Sequence, residues 1–195
     1  MLIDPGTFSD TWHGLTDLDA ILITHQHGDH FDAGNVRPVI GANPGARLVA
    51  EPAVAEILSD HSPQAATVGD TLELGGVTVE MVGGEHAVVH DSIPGVGNVG
   101  YIIRENGGPS LFHPGDSYDA TPSGIDLLAL PFAAPWAKTA MTIDFANSVK
   151  PERAIPIHDV FLNEIGRSTW MRICRGVIDE TIVIDDPALG DPYTV

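Results

Sequence analysis

The chain has 195 residues, and its 27 acidic and 9 basic side chains give a formal net charge of −18. This length suits one domain with a sizeable core, and a composition that is 43% hydrophobic and 18% charged excludes a disordered or membrane-spanning chain. The acidity disfavours nucleic acids as partners, because their phosphate backbones would be repelled. The lone cysteine, Cys174, excludes an internal disulfide and a cysteine-based zinc site.

The N-terminus lacks the features of a secretory signal. Residues 1–4 contain neither a basic segment nor a long apolar stretch. Together with the free cysteine, this leads us to expect a cytoplasmic protein. The apolar pair Leu2-Ile3 runs directly into the turn residues Asp4-Pro5-Gly6. We therefore expect the end of a strand here, with earlier strands of its sheet lacking.

Short apolar runs separated by glycine and proline turns predict the other elements. We expect strands at 19–24, 47–50, 71–74, 77–82, 98–104, 110–113, 125–131, 154–157 and 181–184, and helices at 51–58, 138–149 and 161–174. Strands dominate the first part, and strands alternate with helices in the second. We therefore predict one α/β domain over residues 1–195.

A histidine-rich segment follows the strand predicted at 19–24. It reads His25-Gln26-His27-Gly28-Asp29-His30, so three imidazoles and one carboxylate lie within six residues. On a loop that leaves a strand these side chains can converge on one point, and Gly28 gives the backbone freedom to curl around an ion. Imidazole and carboxylate ligands suit Zn, Mn or Fe. The alternative is a solvated histidine-rich loop.

This HxHxDH pattern after a buried strand resembles the signature of the metallo-β-lactamase-fold hydrolases. Further segments match in order: the strand and turn at 2–6, His86 after Gly84-Glu85, Asp116 within 114–117, and His158 within 156–159. Residues 134–136 and the pair His158-Asp159 suggest a small bacterial branch similar to the ascorbate-phosphate lactonase-like proteins. The resemblance implies a four-layer αββα sandwich, with metals at one edge between its two sheets.

The resemblance also implies a site for two divalent metal ions, zinc first, with manganese or iron as alternatives. Its seven ligands would be His25, His27 and His86 on the first ion, Asp29, His30 and His158 on the second, and Asp116 bridging them. A hydroxide bridging the ions would be the nucleophile. Asp29 and His30 are the catalytic candidates, and Asp29 is also a candidate proton acceptor.

Three of these ligands have alternatives. His90 could replace His86, which follows an alternating strand and could merely cap a loop. Asp116 could be a turn residue, since Asp forms local hydrogen bonds in turns. His158 could be a buried structural histidine.

Residues outside the ligand set also have two interpretations each. Asp4 could hold the tautomer of a ligand histidine or be a plain turn residue, and His113 could point into the site or be a strand-end polar residue. His90, Trp136 and Lys138 are candidates for substrate binding. The alternatives are packing for Trp136 and a surface position at a helix start for Lys138.

The leading hypothesis is a metal-dependent hydrolase of a small ester, lactone or phosphorylated metabolite. We expect a small-molecule substrate and neither a nucleic acid nor a membrane as partner. One alternative is an iron-dependent oxidoreductase similar to persulfide dioxygenases, which keep the HxHxDH pattern. Another is a non-catalytic, metal-stabilised paralogue.

Overall fold

A small parallel sheet carries the histidine-rich loop in the computed structural model, which describes residues 1–187 and 193. Its four strands lie in the order β1-β2-β3-β4. They are Leu2–Ile3 (β1), Ala20–Ile23 (β2), Arg47–Ala50 (β3) and Gln64–Ala65 (β4). The continuous apolar run of β2 is buried at all four positions, which is typical of an inner parallel strand covered on both faces.

A larger, mixed sheet has seven strands in the order β11-β10-β9-β8-β7-β6-β5. They are Thr71–Leu74 (β5), Val77–Glu85 (β6), Gly97–Glu105 (β7), Ser110–His113 (β8), Leu127–Pro131 (β9), Arg153–Ile157 (β10) and Val183–Ile184 (β11). Strands β5 to β8 pair antiparallel, as tight hairpins allow, and β8 to β11 pair parallel.

Within residues 1–187, four α-helices cover the sheets. They are Val36–Ala42 (α1), Pro52–Ile57 (α2), Thr139–Val149 (α3) and Glu164–Val177 (α4), and a 3₁₀ turn spans Ser59–His61. Within the part of the chain that the structure describes, no helix has the length and apolarity needed to cross a bilayer.

Three apolar clusters show how these elements stack. One joins α1 and α2 to the small sheet, for example Val39 and Val54 against Ile21. The second lies between the sheets, and the third joins the large sheet to α3 and α4, for example Leu130 with Phe145. Three buried interfaces separate four layers, so the α/β class and the αββα order expected from the resemblance are confirmed.

Two helices differ from the prediction. The helix expected at 161–174 spans 164–177, because the side chain of Asn163 accepts a hydrogen bond from the Gly166 amide and fixes the start there. Helix α1 was not predicted at all. Its sequence, VRPVIGA, contains a proline and a glycine that normally interrupt helices, but Pro38 lies in the first turn, where its missing N–H costs nothing.

The fold places the ends of several strands at one edge of the sandwich. Asp4 follows β1, His25 lies just beyond β2, and His158 follows β10. Asp116 lies three residues after β8, and His86 directly follows β6. Because carboxyl ends of parallel strands meet at the same edge of a sheet, residues distant in sequence become neighbours here.

Candidate metal centre

Seven histidine and aspartate side chains converge at this edge in two groups that share one residue. Within each group, the candidate ligand atoms lie within 4.8 Å of one another. The groups are His25, His27, His86 and Asp116, and Asp29, His30, His158 and Asp116. These are the residues that the resemblance assigns to two metal ions, in the same division. The structure brings all seven together at one edge of the sandwich.

The turn at 4–6 clamps the histidine-rich loop. Thr7 N–H donates to Gly28 O at 2.9 Å, and Asp32 N–H donates to Pro5 O at 2.8 Å. A Cβ added to Gly6 would lie only 1.7 Å from Asp29 O, so the two backbones touch where a side chain cannot fit. The turn therefore holds the loop that carries four of the seven candidate ligands. Gly28 itself has no positive φ.

Asp4 organises two of the ligand histidines. Its Oδ2 lies 2.7 Å from His30 Nδ1 and accepts the Thr24 hydroxyl at 2.7 Å. His25 Nδ1 in turn lies 3.0 Å from Thr24 Oγ1. Because the Thr24 proton is used on Asp4, His25 must donate from Nδ1, and so must His30. The Nε2 atoms of both rings thereby face the cluster, and the contact between Asp4 and His30 fits the predicted role of Asp4 in orienting a ligand histidine.

His86 and His158 are fixed in the same way by backbone carbonyls. His86 Nδ1 lies 2.6 Å from Ala87 O, and His158 Nδ1 lies 2.8 Å from Ala133 O. A carbonyl can only accept, so both rings donate from Nδ1 and present Nε2 to the cluster. The backbone at His158 is left-handed, with φ of 62°, which turns its side chain back towards the cluster. His27 instead presents Nδ1, 3.1 Å from His25 Nε2.

Asp116 lies at the centre of the cluster. Its Oδ2 is 3.3 Å from both His86 Nε2 and His158 Nε2, and its Oδ1 is 3.2 Å from His30 Nε2. The carboxylate is positioned by Asn98, whose Oδ1 accepts the Asp116 amide at 2.9 Å. Trp136 Nε1–H donates to Oδ2 at 3.0 Å. The carboxylate therefore reaches both groups, as a bridging ligand must.

Several of these buried atoms face one another without forming hydrogen bonds. His86 Nε2, His158 Nε2 and Asp116 Oδ1 are fully buried and have no partner with hydrogen-bond geometry. Orphaned buried polar atoms are rare and costly, and here they belong to two groups of side chains that converge on common points. A cation satisfies them all, so the donor set fits a pair of metal ions with nitrogen and oxygen ligands.

The charges within the cluster are strongly coupled. Burial disfavours protonation of His30, but the charges of Asp4 and Asp116 outweigh it and raise the pKa of His30 to about 10. Burial is likewise outweighed at His158, where contacts with Asp116 and Asp29 raise the pKa to about 10. Burial and the neighbouring His30 lower the pKa of His25 to about 3. The pKa of Asp116 is held far below its usual range by the three histidines around it, against its burial.

The three candidate substrate residues lie in different environments. Trp136 is buried, and its indole N–H donates to the Asp116 carboxylate. Its ring packs edge-on against Tyr118. His90 is exposed and lines a cavity of about 300 Å³ together with His27 and His86. Lys138 is exposed at the start of α3. Only His90 thus lines a cavity beside the cluster, while substrate contact by any of the three stays a prediction.

His113 belongs to the surroundings of the site. Its Nδ1 accepts the Gly115 amide at 3.3 Å, and its ring lines a second cavity, of about 630 Å³, together with His30 and His158. Burial lowers the pKa of His113, so the ring is neutral, with its proton on Nε2. Its place at the end of β8 was the only signal in the sequence.

Comparisons with known proteins agree with this geometry. The family model for the beta-lactamase superfamily domain matches residues 1–158. Protein Rv0786c of Mycobacterium tuberculosis is 43% identical over 171 residues, which is 87% of this chain and 80% of that protein. A UPF0173 metal-dependent hydrolase of Thermococcus onnurineus is 30% identical over 159 residues, 73% of this chain and 67% of its own length.

A solved structure shares the fold. It comes from Parabacteroides distasonis, is provisionally named a metal-dependent hydrolase, and superposes with a TM-score of 0.75 at 22% identity, covering 94% of this chain and 82% of that one. The finer resemblance to ascorbate-phosphate lactonase-like proteins stays a prediction. The profile match, the relatives and the fold agree, and the chain belongs to the metallo-β-lactamase-fold superfamily.

Proposed function

We propose that this protein is a hydrolase that uses two divalent metal ions, zinc in the first place, to cleave a small ester, lactone or phosphorylated metabolite. One observation carries the proposal: two groups of converging ring nitrogens and carboxylate oxygens share Asp116, and three of their buried atoms have no hydrogen-bond partner. The names of the relatives, which describe metal-dependent hydrolases, support the same class.

The position of each candidate ligand indicates which ion it would hold. His25, His27 and His86 would hold one ion, Asp29, His30 and His158 the other, and Asp116 both. When bound, such ions supply a hydroxide nucleophile at neutral pH and polarise the oxygen of the attacked group. Asp29 Oδ2, which is partly exposed and 3.1 Å from His158 Nε2, is placed to take a proton from the attacking water.

Neighbouring residues hold the candidate ligands in position. Asp4, Ala87 and Ala133 hold the ring tautomers, and Trp136 holds the bridging carboxylate by one hydrogen bond. The cluster lies in an acidic protein, so the bound ions would form a local positive region that attracts a carbonyl or phosphoryl oxygen. We propose a cytoplasmic location and a small-molecule substrate, as expected from the sequence.

Metal analysis combined with activity measurements tests the proposal. The purified protein should bind about two metal ions per chain, and the loaded protein should hydrolyse at least one member of a panel of carboxylic esters, lactones and phosphodiesters. His30→Ala should abolish turnover while the circular dichroism spectrum stays native. The matched control is His61→Ala, which removes a histidine far from the cluster and should leave both metal content and turnover unchanged.

The alternatives give different results in the same experiment. Oxygen uptake with a persulfide substrate, without hydrolysis of any panel member, would replace the hydrolase by an iron-dependent oxidoreductase. Metal binding without any turnover would leave only the metal-stabilised paralogue. Either outcome would overturn the proposed function.

A further inference from the structure

The larger cavity beside the cluster is mostly apolar. It has a volume of about 630 Å³ and is lined by Ile3, Phe8, Trp12, Ile157 and Val160, with His30 and His158 at the end that meets the cluster. This volume lies within the usual range for small-molecule sites. Phe8 and Val160 are largely exposed at its rim, and the Phe8 ring stacks edge-on against Phe161 at 5.5 Å.

Away from the cluster, the cavity offers no unpaired charge to a substrate. Its carboxylates are engaged within the protein: Asp4 by His30, Asp29 by His158, and Asp159 by Arg167, whose Nε donates at 2.6 Å. Among the residues that line either of the two cavities, none is a lysine or arginine. A phosphate or carboxylate group bound in the apolar part of this cavity, away from the cluster, would be desolvated without a cationic partner, which is strongly unfavourable.

One neutral donor lies within this apolar lining. His113 accepts the Gly115 amide through Nδ1, so its proton is on Nε2, and among the described residues no acceptor contacts that atom. Nε2 is not among the fully buried orphaned atoms, and the ring lines the cavity. The N–H can therefore donate to an uncharged oxygen within the cavity.

From these observations we infer that the substrate is an uncharged carboxylic ester or lactone with an apolar acyl chain, and that this chain lies in the larger cavity. The inference rests on the proposed hydrolase function and narrows it, since it requires that the part of the substrate inside the cavity carry no charged group. The cavity meets the cluster at Asp29, His30 and His158. A chain bound there would place the ester carbonyl against the second group of ligands, and water would cleave the ester to a carboxylic acid and an alcohol.

Activity measurements test the chain preference. The metal-loaded protein should hydrolyse 4-nitrophenyl octanoate with a kcat/KM about 10-fold or more above that for 4-nitrophenyl acetate, since each buried methylene adds transition-state binding. Phe8→Ala should reduce this ratio several-fold, through a higher KM for the octanoate. Val177→Ala removes an equally exposed apolar side chain at the end of α4 and should leave the ratio unchanged.

A binding measurement separates this inference from the proposed function. Octanamide is uncharged and resists hydrolysis, and Trp12 lines the cavity with its indole N–H bonded to Gly6 O. In ¹H–¹⁵N spectra, octanamide should shift the Trp12 indole signal, assigned with Trp12→Phe, whereas acetamide should not. Equal kcat/KM values for the two esters, a ratio unaffected by Phe8→Ala, or an unshifted Trp12 signal would overturn the inference. Loss of all turnover with a shifted signal would instead overturn the proposed function alone.

Discussion

The Asp4 carboxylate lies 2.7 Å from His30 Nδ1 and joins the edge strand β1 to the metal cluster. Asp4 has a left-handed backbone, with φ of 48°, and its other oxygen accepts the Thr24 amide at 2.8 Å. Burial favours the neutral acid, but the charge and hydrogen bond of His30 outweigh it and lower the pKa of Asp4. The ionised carboxylate thus orients His30, a candidate ligand that lies 26 residues further along the chain.

Replacing Asp4 should weaken metal binding more than folding. Asp4→Asn keeps a residue that tolerates the left-handed backbone, but it removes the negative charge that holds the proton on His30 Nδ1. We expect metal affinity to fall about 10- to 100-fold, as is typical when such a partner of a ligand histidine is lost. Competition with a chromophoric chelator measures this affinity. Asp10→Asn, an exposed aspartate in the same N-terminal region, is the control. Equal affinities in the two variants would contradict the assignment.

Replacing Gly6 with alanine should destabilise the protein far more than replacing Gly28. Gly6→Ala would place a Cβ 1.7 Å from Asp29 O, a clash with backbone that no rotamer relieves. We expect a loss of about 3 kcal/mol or more in the free energy of unfolding, or no folded protein. Gly28→Ala is the control within the same loop, since its nearest neighbour is Thr7 Oγ1 at 4.0 Å and its φ is not positive. Urea unfolding compares the two, and similar midpoints would refute the role of Gly6.

The contrast between these glycines shows what the sequence could predict of the fold. Strands such as β2 and β9 are apolar runs bounded by turns, so their presence follows from local pattern. The sequence drew attention to Gly28 because it lies within the histidine motif. The close backbone contact is made by Gly6 instead, and it could not be predicted because it joins two segments that are distant in sequence. The short strand β4 has only two residues and no local pattern of its own.

The residues of the candidate site were likewise only partly predictable from the sequence. The histidines at 25, 27 and 30 are visible because they are close in sequence. Asn98 and Trp136, which hold Asp116, carry no local mark of that role, because an amide or an indole becomes informative only when its partner is known. The tautomers of His86 and His158 depend on the carbonyls of Ala87 and Ala133, which any residue could supply. Three-dimensional contacts were needed for these.

Removing the indole hydrogen bond should lower activity with little effect on folding. Trp136→Phe keeps the packing against Tyr118 but loses the donor 3.0 Å from Asp116 Oδ2. A hydrogen bond to a charged group contributes about 1.5–3 kcal/mol, so kcat of the metal-loaded protein should fall roughly 10- to 100-fold. Trp170→Phe, in α4 and away from the cluster, is the control. If both variants lose kcat equally, Trp136 does not act through Asp116.

Cys174 should report on unfolding. It is fully buried in α4, and burial raises the pKa of its thiol to about 11. At pH 8 only about a thousandth of such a thiol is ionised, so labelling by a disulfide reagent should be slow in the native state and fast in urea. The pKa of this thiol is higher in the folded state than in the unfolded state. At pH values between the two pKa values, the folded state therefore binds more protons. Stability should therefore decline as pH rises above about 8.5. Rapid labelling under native conditions would argue against this burial.

Metal uptake should release protons and strengthen as pH rises. In the metal-free protein, the pKa values of His30 and His158 are both raised to about 10, so at pH 7.5 both rings are protonated on both nitrogens. The cluster accepts a cation on Nε2 only after that proton leaves, because each Nδ1 proton is held by Asp4 or Ala133. Filling the second group should release about two protons per chain, and apparent affinity should rise between pH 7 and 10.

Calorimetric titration with Zn²⁺ in buffers of different protonation enthalpy measures this release. The slope of apparent enthalpy against buffer enthalpy gives the number of protons, and His158→Ala should reduce it by about one, since one protonated ring is lost. His61→Ala lies outside the cluster and should keep the wild-type slope. A slope of zero in the wild-type protein would mean that both rings are already neutral, and the coupling of His30 and His158 to Asp116 would then be weaker than contacts of 3.2 and 3.3 Å imply.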